Sequence, residues 1–158
     1  MNCKLRVYLS VSLLILFASC QKQTTNTEID SAQIINEVKL QVDAFHAADT
    51  SLNAQGIIDL LWPEFTMLVD GNHTVYEDVK TGAKTFMASL EIFHTDWKDL
   101  KIIPMGKDHA ISSFIFTDSL VAKDGTITQA RGPNTFVWEK RNEEWKVIYG
   151  DADHYPIK

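Results

Sequence analysis

Near the end of the chain, Tyr149 and Asp151 place a phenol and a carboxylate two residues apart in the run Trp145-Lys146-Val147-Ile148-Tyr149-Gly150-Asp151. The run is β-branched and aromatic, so it reads as a strand, and strand alternation puts Trp145, Val147, Tyr149, Asp151 and Asp153 on one side. A carboxyl in an apolar cavity resists ionisation and can exchange a proton near neutral pH. A neighbouring phenol can donate to a developing oxyanion. The pair therefore points to proton-transfer chemistry, with solvated carboxylates at a strand end as the plain alternative. Arg131 and Asn134, in Ala130-Arg131-Gly132-Pro133-Asn134, are further candidates: the guanidinium to clamp a ligand carboxylate, the amide to donate to a ligand.

Other chemistries find little support. The five histidines (His46, His73, His94, His109, His154) show neither His-x-His nor His-x-x-x-His spacing, and no metal is expected. Gly-x-Ser-x-Gly, Gly-x-Gly-x-x-Gly and phosphate-loop patterns do not occur, so serine-hydrolase and nucleotide readings fall away and no cofactor is expected. Of the two cysteines, Cys3 and Cys20, neither lies after residue 20, which excludes thiol catalysis and cysteine zinc sites from residues 21–158.

Residues 1–6 are basic, residues 7–17 form an apolar run of 11, and Ala18-Ser19 lead to Cys20. A membrane span needs about 20 apolar residues, so this run fits the core of a signal peptide. The segment resembles a bacterial lipoprotein signal, with Phe17 where that pattern usually has Leu. The resemblance implies cleavage before Cys20, lipidation of that residue, and a place in the bacterial cell envelope, periplasmic or on the outer membrane, with membrane contact through the anchor only. Residues 1–19 are then the signal peptide, 20–27 the lipidated cysteine with a polar tether, and 28–158 the folded domain. Because Lys4 and Arg6 are the charges of the first twenty residues, the remainder holds 13 basic and 21 acidic side chains, a net −8 against −6 for the whole chain. Such a domain is a poor phosphate tracker, and no nucleic-acid partner is expected.

The elements that must position Tyr149 and Asp151 can be read from periodicity. Ile34, Val38, Val42 and Phe45 recur at helical spacing over 28–49, with Asp30 or Ser31 as cap and Asn53 and Gly56 ending the helical stretch. A short helix over 55–61 is stopped by Trp62-Pro63. Asp70-Gly71-Asn72 joins strands 65–69 and 73–76 in a hairpin. Thr81-Gly82 opens a third helix carrying Phe86, Met87, Leu90 and Phe93. Strands follow over 97–103, 110–122, 126–140 and 144–151, and the consecutive Phe114, Ile115 and Phe116 suggest a strand covered on both faces. Helices followed by a long meander make an α+β fold.

Four stretches then carry a family resemblance: Phe45-x-Ala47-x-Asp49 with Ile57-x-x-Leu60 and Pro63-x-Phe65; Gly106-x-Asp108-x-Ala110; Thr135-x-Val137-Trp138; and Trp145-Lys146-Val147-Ile148. Over residues 30–155 the chain resembles the nuclear transport factor 2-like superfamily, its SnoaL-like branch and the related kinase association domains. The resemblance implies a cone: three N-terminal helices packed on a strongly curved antiparallel sheet, open at one end, often a homodimer through the outer sheet face. It also implies that Trp62, Phe65, Tyr76, Trp97, Trp138 and Trp145 lie in pocket walls or core, with Tyr76 and Trp97 near the mouth and Trp145 in the core. Close relatives often show His-x-His where this chain has Tyr149-Gly150-Asp151, and steroid-isomerase relatives pair an aspartate with a tyrosine from other positions. Asp151 with Tyr149 is thus the expected polar end of the pocket. Three functions remain: an anchored binder of a small apolar or amphipathic molecule; a proton-transfer isomerase, dehydratase or hydrolase; or a non-catalytic partner domain.

Overall fold

The computed structural model describes residues 30–157; the stretches read above as signal peptide, lipidated Cys20 and tether lie outside them. Helix α1 (Ser31–Thr50) starts where Asp30 Oδ1 accepts from the Gln33 amide at 3.0 Å. Ile34, Val38 and Val42, each four residues on, form its buried stripe. Asn53 does not end this helix but caps the next, accepting from the Gly56 amide at 3.0 Å; Gly56 lies inside α2 (Ala54–Asp59). Trp62-Pro63 is not a helix stop either. Both residues belong to β1 (Leu61–Val69), within the stretch where its pairing to β6 (Glu144–Ala152) is irregular and a missing N–H is tolerated.

Asp70 and Gly71, both at positive φ, turn β1 into β2 (Asn72–Val75) as expected for a tight hairpin. Helix α3 (Tyr76–Ser89) begins five residues before Thr81, because Asp78 reaches back to the Val75 amide at 3.2 Å and Glu77 and Asp78 suit a helix N-terminus. Four long strands follow: β3 (Leu90–Pro104), β4 (His109–Ala122), β5 (Ile127–Arg141) and β6. The sheet runs β2-β1-β6-β5-β4-β3, antiparallel throughout except for the parallel β1–β6 pair. A two-residue β7 (Tyr155–Pro156) continues along β5 where β6 has ended. Register shifts in β3 near Lys98–Lys101, with Asp99 at φ 57°, and in the β5–β6 pair bend the sheet into a cone around α1.

Inside the cone, α1 packs on Trp138, Val147 and Phe136. Trp138 is fully buried and donates to Ser112 Oγ at 2.8 Å, so the one polar atom of its ring is satisfied. The double cover expected around Phe114-Ile115-Phe116 is only half present: the two phenylalanines are buried, and Ile115 borders a shallow outer cleft. Among the described residues no helix is long and apolar enough to cross a membrane.

Glu37 ties α1 to the last hairpin. Its Oε2 accepts from Trp145 Nε1 at 2.7 Å and from Lys140 Nζ at 3.0 Å, and these donors hold its pKa down at about 2. A depressed carboxyl adds stability above its unfolded pKa and loses it as pH falls through the folded value. Glu37→Gln is therefore expected to cost about 1–2 kcal/mol at pH 7 and markedly less near pH 3. Equal losses at both pH values in chemical denaturation would contradict this account of Glu37.

Candidate functional site

Alternation along the strands decides what faces the interior. Phe93, Thr95 and Trp97 on β3, Phe114, Phe116 and Asp118 on β4, and Asn134 and Phe136 on β5 all line one cavity. Its volume is about 180 Å³. Phe45 on α1 and Phe65 on β1 close the other side. The walls are aromatic and mutually braced: Trp97 stacks on Phe114 with centroids 4.0 Å apart, and Phe45 meets Phe136 at 5.0 Å. His46 holds the β3 wall to α1, its Nε2 lying 3.1 Å from the Thr95 carbonyl and its ring edge-on to Trp97.

The polar groups gather at one end. Asp49 lies one helical turn beyond Phe45, so it points to the same side of α1. Thr95 and Asp118 are directly opposed in the β3–β4 ladder. His154 comes from the break between β6 and β7, where Asp70 fixes it: Asp70 Oδ1 accepts from the His154 amide at 2.7 Å, and Oδ2 lies 3.1 Å from Nδ1. Phe116 lies against the His154 ring at 4.9 Å.

Three buried oxygens of the lining find no close hydrogen-bond partner: Thr95 Oγ1 and Asp118 Oδ1, which face one another across the β3–β4 ladder, and Asn134 Oδ1, which lies further along the sheet opposite Phe114. Such atoms are rare in native interiors and mark places where a ligand or solvent completes the bonding. Burial, reinforced by the charge of Asp118, pushes the Asp49 carboxyl up to about 8. Asp118 is also raised by burial, opposed by the Thr95 hydroxyl and by His154. At pH 7 the two carboxyls therefore hold a proton that isolated aspartates would have released.

The cavity opens outward. A second space of about 510 Å³, lined by Phe86, Leu120 and Gln129, shares Phe93, Asp118 and His154 with the first. It forms a vestibule adjoining the inner cavity on the side of Asp118 and His154. Among the described residues, no three His, Cys, Asp or Glu side chains group so as to hold a metal ion.

Residues 53–152 match the family model of the calcium/calmodulin dependent protein kinase II association domain. The chain belongs to that family. Its fold is that of the nuclear transport factor 2-like superfamily. A superfamily protein from Salmonella enterica serovar Typhimurium is 16% identical with a TM-score of 0.70, over 80% of this chain and 94% of that one. A putative association domain from Xanthomonas campestris is 22% identical with a TM-score of 0.66, over 77% and 88%. A putative scytalone dehydratase from Novosphingobium aromaticivorans superposes with a TM-score of 0.72 at 8% identity, over 78% and 85%. No curated protein matches significantly. The family match begins after α1, so Asp49 lies outside it, whereas Thr95, Asp118 and Asn134 lie within.

In this association domain the cavity gathers Phe65, Trp97 and Asn134 from the residues singled out in the sequence. Tyr149 and Asp151 are elsewhere. The β5–β6 register shifts at Ile148, so that Val147 pairs with Trp138 while Tyr149 pairs with Val137. One extra residue reverses the alternation: Trp145 and Val147 are buried before the shift, Gly150 and Ala152 after it. Ala152 lines the cavity, and Tyr149 and Asp151 project to the other face of the sheet.

Trp62 also faces away, its Nε1 donating to the Glu139 carbonyl at 3.0 Å, with Arg141 and Lys146 within 5 Å of its ring. Tyr76 packs on the edge of the core at the start of α3 and does not line the cavity. Arg131 is exposed, paired in the sheet with Tyr155 and Thr117. Asp49, Thr95, Asp118 and His154 escaped selection, although strand parity with Phe114 and helical spacing from Phe45 already marked Asp118 and Asp49.

Proposed function

We propose that the mature protein is a lipid-anchored domain of the cell envelope that holds a small apolar or amphipathic molecule in this cavity. The observation that carries the reading is an aromatic-walled chamber adjoining a vestibule, whose lining includes three buried oxygens without close hydrogen-bond partners. The lipoprotein-type signal and the acidic domain support the envelope location and argue against a nucleic-acid partner. A homodimer through the outer sheet face belongs to the same reading, on the strength of the fold. The test is mass spectrometry of full-length protein extracted from membranes. The expected result is an acylated Cys20 and a small apolar molecule released on denaturation. A cytosolic, unacylated protein would defeat the anchor. Protein free of small molecules that takes up none of a panel of aromatic probes would defeat the pocket.

A second reading is favoured by the raised Asp49 carboxyl. Protonated Asp49 would donate to a substrate carbonyl while ionised Asp118 takes the proton from the adjacent carbon, leaving an enol and the two carboxyls with protons exchanged. Names such as putative scytalone dehydratase among the neighbours are consistent with proton transfer, and the acid pair replaces Asp151 and Tyr149 as the groups to examine.

A further inference from the structure

We propose that the molecule this cavity selects is a small organic cation: a primary alkyl- or arylalkyl-ammonium, with the amine at the polar end beside Asp118 and Asp49 and the hydrocarbon against the aromatic walls. The inference rests on the cavity being a binding site and adds the chemical class.

Acceptors outnumber donors at the polar end of the cavity. Asp118 Oδ1 is a buried oxygen without a close partner, the Thr95 hydroxyl facing it supplies one donor, and Asp49 adds a second carboxyl. Thr95 is 3% exposed and faces the cavity, so bulk water does not complete its bonding. Among the described residues, no lysine or arginine lines the chamber. The nearest basic group, His154, is already engaged by Asp70 at 3.1 Å. An alkylammonium brings three N–H donors and no acceptor, which is the complement of this set. A carboxylate or phosphate would bring only further acceptors beside two aspartates.

The walls suit the same class. Trp97, Phe45, Phe114 and Phe116 line the cavity with aromatic rings, a residue type that attracts cations as well as apolar carbon. An apolar cavity of about 150 Å³ accommodates benzene, so the inner chamber of about 180 Å³ takes one ring or a short alkyl chain. Without ligand, burial keeps a proton on Asp49. On binding, the ammonium takes over that neutralising role and the proton leaves to solvent.

The test compares three probes of similar shape by calorimetric titration of the full chain: 2-phenylethylamine, 2-phenylethanol and phenylacetate. The amine is expected to bind about ten- to hundredfold tighter than the alcohol, the range set by charge-assisted hydrogen bonds, and phenylacetate more weakly still. Asp118→Asn and Asp49→Asn should each shrink the amine's advantage severalfold, while Asp151→Asn, on the outer face, leaves it unchanged. Alcohol or phenylacetate binding as tightly as the amine in the unmodified protein overturns the cation inference but keeps the pocket. Failure of all three probes to bind overturns both. The probe comparison needs no variant, so a variant that fails to fold does not weaken it.

Discussion

Asp49→Asn is expected to make the protein more stable at pH 7, by about 2–4 kcal/mol, although it adds no contact. The folded carboxyl titrates at about 8 because burial and the neighbouring Asp118 disfavour its charged form. In the unfolded chain it titrates near the ordinary 3.8. Between these values the folded state binds the extra proton, so stability falls as pH rises from about 4 and levels off above about 8. The amide carries no such penalty. Its advantage should therefore be large at pH 7, larger at pH 8 and small near pH 4, where the unfolded carboxyl is only about half ionised. Urea denaturation of both proteins at these three pH values checks the sign. An Asp49→Asn variant no more stable at pH 7, or one whose gain is undiminished at pH 4, would overturn this account of Asp49. Because Asp118 supplies part of the repulsion, the double variant should gain less than the sum of the single ones. A buried acid kept at a cost in stability is what a binding or proton-transfer site retains and a packing position does not.

The cone was legible because its elements are regular. Ile34, Val38 and Val42 declare α1, the alternation of β4 and β5 declares the meander, and the four short motifs add the family. What escaped was local and arose where regularity breaks. The extra residue at Ile148 reverses the facing of Tyr149 and Asp151, and nothing in Val147-Ile148-Tyr149 announces a bulge, since all three are good strand residues. The break at Asp153-His154 escaped for a related reason: Pro156 argues against a strand, yet β7 is tolerated as a two-residue pairing. The acid pair was readable in principle. Asp118 continues the inward parity of Phe114 and Phe116, but an aspartate at that parity also fits a frayed strand end, and only the closure of the cone distinguishes the two.

Gly132→Ala is expected to be severely destabilising, by about 3 kcal/mol or more, although Gly132 lies in an extended strand rather than at a positive φ. The cause is close approach. A methyl there would coincide with the backbone carbonyl of Asp153 and meet the Phe116 ring at 3.0 Å. A flexible side chain could yield, but this neighbour is the main chain of the segment linking β6 to β7. Moving it would strain the bond from the Asp153 amide to the Pro133 carbonyl, the pairing of Ala130 with Pro156, and the grip of Asp70 on His154. The damage would reach the site, because His154 and Pro156 wall the vestibule. Besides lower stability, the variant should therefore show weaker binding of 2-phenylethylamine and faster proteolysis of the last few residues. Gly82→Ala is the control for the same chemistry. Gly82 sits within α3 with nothing within 4 Å of an added methyl, so alanine there should stabilise by about 0.5–1 kcal/mol. If both substitutions moved the unfolding midpoint in the same direction, the close packing of the β6–β7 segment on Gly132 would be refuted, and with it the account of how His154 is held at the cavity.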